Sequence, residues 1–311
     1  MAGSRRPAPA GHHPVVRGRF VKPAGSLETP FLLGMMRLHE VTDLHPPARL
    51  AAWVEARLDE GLEWFDHADI YGDTQGEALF GNALRTRPGL ASRVGVVTKA
   101  SIVNPVRDAS PFRVKHYDSS PTYLARSIEA SLARLGVERL DHFLLHRPSP
   151  LMDAEATGRA LDDAIDAGKV GAVGVSNFLP DQWRRLQAAM HHRLAAHQLQ
   201  LSLEHHQPLF DGSYDALVGD GLIPLVWSPL GGGRVFQGPA ERLLIRLAEE
   251  LGMTPAGLAL AWLRALPGRP RPVIGSLRTE RIAALQADAE CKLDSPTWYA
   301  LLEAARGHEV A

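Results

Sequence analysis

The chain has 311 residues, of which 45% are hydrophobic and 22% are charged, and its formal net charge is -1. This length and apolar content allow one large domain or two smaller ones, and the balanced charge gives no argument for a nucleic acid or an anionic membrane surface as partner. The single cysteine, Cys291, excludes an internal disulfide and suits a reducing compartment, so we expect a cytoplasmic protein.

The amino-terminal residues differ in composition from the rest. Residues 1–13 are rich in Pro, Ala and Gly and are predicted to form a disordered tail, which leaves residues 14–311 for the folded domain. The tail carries basic residues without an apolar stretch of signal-peptide length. Nowhere do about eighteen apolar residues follow one another, so no membrane-spanning helix is expected.

Short apolar runs and longer helix-like segments alternate along the remaining chain. Eight runs are predicted to be strands: residues 31–36, 63–68, 93–99, 141–146, 171–176, 195–201, 223–228 and 272–276. Among the intervening helices, one begins at Ser120-Pro121 and ends at Gly136, and another begins at Thr254-Pro255. Residues 241–252 indicate an extra helix between the seventh and eighth strands.

Alternating strands and helices imply parallel strands joined by crossover helices. Eight such units without an obvious linker favour a single α/β domain, a (β/α)8 TIM barrel with extra helices after strand 7 and at the carboxyl terminus. No GxGxxG motif follows an early strand, which argues against an open dinucleotide-binding sheet.

Polar and aromatic residues lie at or near the ends of six consecutive runs, where the carboxyl ends of barrel strands form one rim. These residues are Asp66 with Tyr71, Lys99, His146, Ser176 with Asn177, Gln198 with Gln200, and Trp227 with Ser228. Each one alone is more often a turn residue or a surface charge. Their joint placement favours an active site, because barrel enzymes carry their catalytic residues at this end.

Four of these residues suit general acid catalysis on a carbonyl group. Tyr71 has an unperturbed pKa of about 10, and a neighbouring Lys99 ammonium is expected to lower it by stabilising the phenolate. A buried Lys99 needs a counter-charge, which Asp66 can supply. His146 can orient the carbonyl oxygen through a hydrogen bond.

A proton donor alone reduces nothing, so hydride must come from a cofactor, and a nicotinamide fits the remaining residues. Trp227 can lie against its ring, while Ser176, Asn177 and Gln198 can hold its carboxamide. The glycine-rich loop 228–236 offers backbone N–H groups to a pyrophosphate. After the eighth run, Ser276, Arg278 and Arg281 can bind a ribose 2′-phosphate, which favours NADPH over NADH.

The chain resembles the aldo-keto reductases from about residue 31 to its last helix, and it is most similar to a bacterial subgroup of predicted oxidoreductases. The similar blocks, in order, are DHADIYG (66–72), VVTK (96–99), FLLHRP (143–148), GKVGAVGVSNF (168–178), WSPLGGG (227–233) and GSLRTERI (275–282). The resemblance implies that Tyr71 is the proton donor, that Lys99 and Asp66 tune it and that His146 orients the substrate. It also implies that Ser228, Leu230 and Gly232 belong to the pyrophosphate loop, that Arg281 contacts the 2′-phosphate, and that Gly34 and Met35 contact the cofactor.

Two departures from the family pattern bear on specificity. Gly275 stands where many members have a lysine, so one phosphate contact is missing, and Arg278 can compensate for it. The chain also lacks the long carboxyl-terminal loop of larger relatives. An open pocket and small or promiscuous aldehyde or ketone substrates are therefore expected. We also expect the enzyme to be a monomer.

Two other functions remain open at this stage. A metal-dependent barrel hydrolase could draw ligands from Asp66, His67, Asp69, His142, His146, His205 and His206. Strand parity opposes this function, because consecutive residues such as Asp66 and His67 point to opposite sides of a strand. A non-catalytic NADPH-binding regulatory subunit of the same fold is the other alternative.

The loop after the third run adds a competing proton donor, Tyr117. Because this loop (residues 100–119) is long and polar, Tyr117 is instead expected to border the substrate pocket, together with His116, Arg147 and Trp183.

Overall fold

The computed structural model describes residues 27–105 and 114–310. The predicted tail, residues 1–13, lies outside the described residues. In the described part of the chain, no helix combines the length and hydropathy that crossing a membrane requires.

Eight parallel strands close into a barrel, as predicted, and each one falls on one of the eight apolar runs. A two-stranded antiparallel hairpin lies outside the barrel. In chain order the strands are β1 (Leu32–Gly34), β2 (Trp64–Asp66), β3 (Gly95–Ala100), β4 (Ile102–Val103), β5 (His116–Tyr117), β6 (Leu140–Leu145), β7 (Val170–Ser176), β8 (Ala196–Gln200), β9 (Ile223–Trp227) and β10 (Arg271–Ile274). Around the barrel the order is β1-β10-β9-β8-β7-β6-β3-β2, and β4 pairs with β5.

Helices follow the barrel strands and cover its outside. They are α1 (Pro47–Asp59), α2 (Gln75–Arg85), α3 (Pro121–Leu135), α4 (Ala154–Asp166), α5 (Pro180–Ala188), α6 (Ser213–Gly219), α7 (Glu241–Glu250), α8 (Pro255–Arg264), α9 (Thr279–Ala287) and α10 (Ser295–Arg306). Short 3-10 turns cover Leu38–Glu40, Thr42–Leu44, Gln207–Leu209 and Gly231–Phe236.

The helix signals read from the sequence are confirmed. Ser120 caps α3, with its side chain accepting from Tyr123 N, and Gly136 ends that helix at a φ of 68°. Thr254 caps α8 in the same way. The extra helix between the last two barrel strands is α7, and α10 is the additional helix at the carboxyl terminus.

Alternation along the strands divides the core into two parts. Seven of the eight barrel strands each contribute a side chain to one apolar cluster inside the barrel, which Leu27 joins from the segment before β1: Leu32, Trp64, Val97, Leu144, Ala196, Leu225 and Val273. The alternate residues, such as Phe65 and Phe143, pack against the helices. Burying each large apolar side chain stabilises the fold by about 1.5–3 kcal/mol. The cleft that carries most of the predicted polar residues opens above this apolar interior, at the carboxyl ends of the strands.

The β4–β5 hairpin was not predicted. It pairs Ile102 with Tyr117 and Val103 with His116 at the start and end of the loop that follows β3. Strands of two residues are too short to show an alternating pattern in a sequence. The hairpin brings Tyr117 back towards the rim that carries the predicted site.

Candidate active site

Lys99 lies at the centre of the predicted site. It is fully buried near the end of β3, and its Nζ donates to Asp66 Oδ1 at 2.7 Å, to the Tyr71 hydroxyl at 3.3 Å and to the backbone oxygen of His67 at 2.5 Å. The ammonium therefore uses all three of its donors. Side chains two residues apart in a strand point the same way. Asp66 therefore points into the barrel like Trp64, and Lys99 points into it like Val97.

Gln198 holds the other oxygen of the same carboxylate. Its Nε2, near the middle of β8, donates to Asp66 Oδ2 at 2.7 Å. Both Asp66 oxygens therefore accept a hydrogen bond from a buried donor, one from each side of the barrel. Such contacts are what a buried charge requires, because an unpaired carboxylate in an apolar interior is strongly destabilising.

The pKa of Lys99 and that of Tyr71 both lie above their ordinary values. Burial by itself lowers the pKa of Lys99, but the Asp66 charge and the Tyr71 hydroxyl more than offset this effect, so the ammonium persists. Burial raises the pKa of Tyr71, while the charges of Lys99 and Arg147 act in the opposite direction. The expected lowering by Lys99 is thus present, but burial and Asp66 outweigh it, and the net direction is opposite to the prediction.

His146 faces Tyr71 from the end of β6. The two rings are 6.1 Å apart between centroids and nearly perpendicular. Burial lowers the pKa of His146 well below 6.5, and the positive charges of Lys99, Arg147 and Lys115 lower it further. The imidazole is therefore neutral near pH 7 and can donate a hydrogen bond from one ring nitrogen.

A cleft of about 1290 Å³ opens at the carboxyl ends of the strands. Most predicted site residues line it: Gly34, Asp66, Tyr71, His146, Ser176, Asn177, Gln198, Trp227, Ser228, Leu230, Gly232, Ser276, Arg278 and Arg281. Lys99 lies beneath Tyr71, behind the surface of the cleft.

Met35 is an exception among the predicted cofactor contacts. Its side chain is fully buried in the core between barrel and helices, and the neighbouring Met36, 49% exposed, lines the cleft instead. The reason is the alternation that continues beyond β1, which turns Met35 outwards from the barrel axis.

Asn177 and Trp227 support each other at one end of the cleft. Trp227 Nε1 donates to Asn177 Oδ1 at 2.9 Å, and Asn177 Nδ2 donates to Ser176 Oγ at 2.7 Å. Asn177 has a φ of 60°, in the left-handed region that asparagine tolerates better than most residues. These contacts hold the indole and the amide side by side.

Backbone donors and arginines also line the cleft. Within the Gly231–Phe236 turn, Gly232 and Gly233 have φ values of 68° and 97°, which residues with a side chain rarely adopt. Arg278 and Arg281 are exposed at the start of α9. A helix amino terminus and guanidinium groups together suit a phosphate.

The expectations for the rim are partly confirmed. Tyr117 and Arg147 line the cleft, whereas His116 is not among the lining residues. The expectation for Trp183 is wrong, because its ring is buried against His197 and its Nε1 donates to Asp220. Arg37 and Lys115 also line the cleft and were missed, although both follow predicted strands in βα loops and the barrel rule could have indicated them.

The residues of the metal-hydrolase alternative do not converge. His67 points away from the barrel interior and packs against Phe80, with ring centroids 4.7 Å apart, as strand parity predicts. His142 lies inside the barrel, deep below the cleft, against Trp64. Burial lowers the pKa of His67 to about 3 and that of His142 to about 4.

Comparison with known proteins gives matches over most of the chain. A model of the Aldo/keto reductase family matches residues 30–305. The chain is 41% identical to a 6-dehydroglucose reductase of Agrobacterium fabrum, over 89% of this chain and 94% of that protein. It is 37% identical to the oxidoreductase YdhF of Escherichia coli, over 93% and 98%.

Two solved structures have this fold at lower sequence identity to the chain. The thermostable aldo-keto reductase Tm1743, crystallised with the inhibitor epalrestat, superposes with a TM-score of 0.75 at 22% identity, covering 89% of this chain and 95% of that one. An aldo/keto reductase from Klebsiella pneumoniae, in complex with NADP and acetate, gives 0.74 at 24% identity, covering 91% and 93%. At these identities the likeness supports the barrel fold.

Proposed function

The chain belongs to the aldo/keto reductase family, and from this premise we propose that it reduces small aldehydes and ketones with NADPH, using Tyr71 as the proton donor. The observation that carries this proposal is the bridge that Lys99 Nζ forms between Asp66 and the Tyr71 hydroxyl at the base of the cleft. A structural ion pair would need no phenol beside the ammonium. A proton donor does, because the ammonium stabilises the phenolate that forms as the proton leaves.

The residues divide the reaction between them. The substrate carbonyl oxygen lies within reach of the Tyr71 hydroxyl and the neutral His146 ring, which orients it by a hydrogen bond. Tyr71 transfers its proton to that oxygen as negative charge develops there, and Lys99 stabilises the resulting phenolate. Asp66 keeps Lys99 charged, and Gln198 keeps Asp66 in place.

The cleft fits NADPH at both ends, and bound NADPH supplies the hydride. Trp227 offers a flat surface for the nicotinamide, and Ser176, Asn177 and Gln198 offer polar groups to its carboxamide. The turn that contains Gly232, with Ser228 and Leu230 before it, suits the pyrophosphate. Ser276, Arg278 and Arg281 suit the 2′-phosphate, and no described residue neutralises these two arginines with an ion pair.

Hydroxylated aldehydes are the first substrate class to test. Two relatives, 41% and 36% identical, are 6-dehydroglucose reductases. Polar side chains at the rim, Arg37, Lys115, Tyr117 and Arg147, can form hydrogen bonds with substrate hydroxyl groups. We also propose that the enzyme is cytoplasmic, which the single cysteine favours, and that it acts as a monomer.

The test combines binding and turnover. Fluorescence titration with NADPH and NADH comes first, followed by NADPH oxidation with 6-dehydroglucose, simple aldehydes and ketones. We expect tighter binding of NADPH and turnover with at least one aldehyde. Tight NADPH binding without turnover on any carbonyl would instead support the non-catalytic regulatory subunit. The presence of all four catalytic candidates disfavours that alternative: Asp66, Tyr71, Lys99 and His146.

A further inference from the structure

A second group of ionisable side chains lies at the opposite end of the barrel from the cleft. It joins the carboxyl-terminal half of α4, which contributes Asp162 and Asp166, to the segment between α5 and β8, which contributes His191 and His192. The segment leads into the amino end of β8, whereas the cleft lies at the carboxyl ends of the strands. The reaction proposed above uses none of these four residues.

The Asp162 carboxylate anchors this group. Its side chain is only 4% exposed, and its oxygens accept hydrogen bonds from the backbone nitrogens of His191, at 3.0 Å, and His192, at 3.1 Å. The carboxylate thereby fixes the two histidines at the surface and leaves lone pairs on its oxygens available.

The imidazoles converge on the two carboxylates. His191 Nδ1 lies 2.9 Å from Asp162 Oδ2, and His192 Nε2 lies 2.7 Å from Asp166 Oδ1. His191 Nε2 is 3.4 Å from Asp166 Oδ2. Asp162, His191 and His192 each offer one ligand atom, and these three atoms lie within 4.8 Å of one another. In the described parts of the chain, this is the one set of three or more His, Cys, Asp or Glu residues with that convergence.

The backbone that carries the histidines is held from both sides. Gln187 donates to the backbone oxygen of His192 at 3.0 Å and accepts from Leu194 N at 2.7 Å. Gly158 lets α4 approach the same segment closely, because a Cβ there would lie 2.8 Å from the backbone oxygen of Ala189. Two adjacent histidines on a free loop would lose conformational entropy on binding a metal, whereas here that entropy is already lost on folding.

We propose that Asp162, His191 and His192 form a binding site for a zinc-type divalent cation, with Asp166 as the hydrogen-bond partner of the imidazoles. Two imidazole nitrogens and a carboxylate are a donor set that Zn²⁺ accepts in proteins. A cation can approach from solvent, because the His191 side chain is 64% exposed. The carboxylate anchored by backbone N–H groups supplies the support that a metal ligand needs from its surroundings.

The expected consequence is stabilisation. A cation at this site connects α4 to the segment before β8, and these elements separate on unfolding. Because it binds the folded chain in preference to the unfolded one, it raises the melting temperature as its concentration increases. It leaves carbonyl reduction unchanged, because the site lies at the far end of the barrel.

The experiment is calorimetric titration of the full-length, tag-free protein with ZnCl₂, together with thermal unfolding with and without the metal. The test protein is the double variant His191→Gln, His192→Gln. The matched control is the double variant His205→Gln, His206→Gln, because these two histidines are also adjacent but have no convergent third ligand among the described residues. We expect one zinc site in the wild type. The dissociation constant should increase at least about tenfold in the test variant and stay unchanged in the control.

A second variant, Asp166→Asn, leaves both imidazoles and the Asp162 anchor in place. Because the Asp166 side chain is exposed, the substitution is not expected to destabilise the fold. We expect weaker zinc binding and a smaller zinc-dependent increase in melting temperature. If the wild type and the His191→Gln, His192→Gln protein bind zinc equally, or if the control pair removes the binding, the proposal is wrong. These readouts do not depend on carbonyl reduction, so they test the metal site separately from the proposed activity.

Discussion

The amide nitrogen of Gln198 donates to Asp66 Oδ2 at 2.7 Å, although the two residues are 132 positions apart in the chain. Gln198 therefore has a direct link to the proton-donating group in addition to its proposed contact with the nicotinamide. Replacing it by leucine would leave one oxygen of a buried carboxylate unpaired, which weakens the ion pair that keeps Lys99 charged. We expect Gln198→Leu to lower kcat more than it weakens NADPH binding. Steady-state kinetics with NADPH titration checks this, and a loss confined to NADPH affinity would assign Gln198 to the cofactor alone.

Tyr71→Phe removes the proton donor without removing the ring. We expect kcat for carbonyl reduction to fall by about 10²–10⁴-fold, the usual contribution of a positioned general acid, while the dissociation constant for NADPH stays unchanged. Tyr117→Phe is the matched control, since Tyr117 lines the same cleft on the β5 side. Should Tyr117→Phe abolish turnover while Tyr71→Phe retains it, the two tyrosines would exchange roles.

Lys99→Met should abolish turnover and destabilise the fold together. The change leaves Asp66 as a buried carboxylate without its ammonium partner, which costs about 3–5 kcal/mol. Adding Asp66→Asn removes that charge, so the double variant should recover part of the free energy of unfolding but none of the activity. Urea unfolding of the wild type, both single variants and the double variant measures this coupling. Additive losses in the double variant would mean that the two side chains do not interact energetically.

Arg281→Ala should weaken NADPH binding about tenfold and leave NADH binding nearly unchanged, because only NADPH carries the 2′-phosphate. Gly275→Lys supplies the opposite change. A Cβ at Gly275 meets no atom within 4 Å, so the lysine is accommodated without strain and should tighten NADPH binding selectively. Fluorescence titration of each variant with NADPH and with NADH measures these dissociation constants, and the wild type is titrated for comparison. Equal effects on NADPH and NADH would place the 2′-phosphate elsewhere.

Three buried histidines should make stability depend on acidity. Burial lowers the pKa of His67 to about 3 and those of His142 and His197 to about 4. In the unfolded chain they titrate near 6.5, so below that pH the unfolded state binds more protons than the folded state. Their contribution to stability is therefore fully present above about pH 6.5 and is lost as the pH falls towards 4, at up to about 1.4 kcal/mol per pH unit for each.

Urea unfolding at several pH values between 7 and 4.5 tests this dependence. His67→Leu should reduce the dependence of the free energy of unfolding on pH, because it removes one of the three titrating groups. The substitution breaks no hydrogen bond, since neither ring nitrogen of His67 has a partner in the described residues. The exposed His308→Gln is the control and should leave this dependence unchanged. A wild-type free energy of unfolding that stays constant from pH 7 to 4.5 would contradict the prediction.

The order of the elements and the end of the barrel that carries the site both follow from local signals in the sequence. Apolar runs and capping residues are local signals, and Ser120, Gly136 and Thr254 act within a few residues of their own positions. Parity within a strand is also local, which is why the alternation of side chains is enough to assign Asp66 and His67 to opposite sides. The order of polar residues after successive strands then followed from the geometry common to all parallel barrels.

Which of these groups touch, and how deeply each is buried, depends on contacts between segments that are distant in the chain. The contact between Gln198 and Asp66 crosses the barrel, and the burial of Trp183 depends on the packing of α5 against His197 of β8. The net pKa direction of Tyr71 likewise depends on burial, which opposes Lys99 and cannot be read from neighbouring residues. The four-residue group around Asp162 forms because α4 and the segment before β8 meet in space, and local sequence carries no signal for a meeting of distant segments.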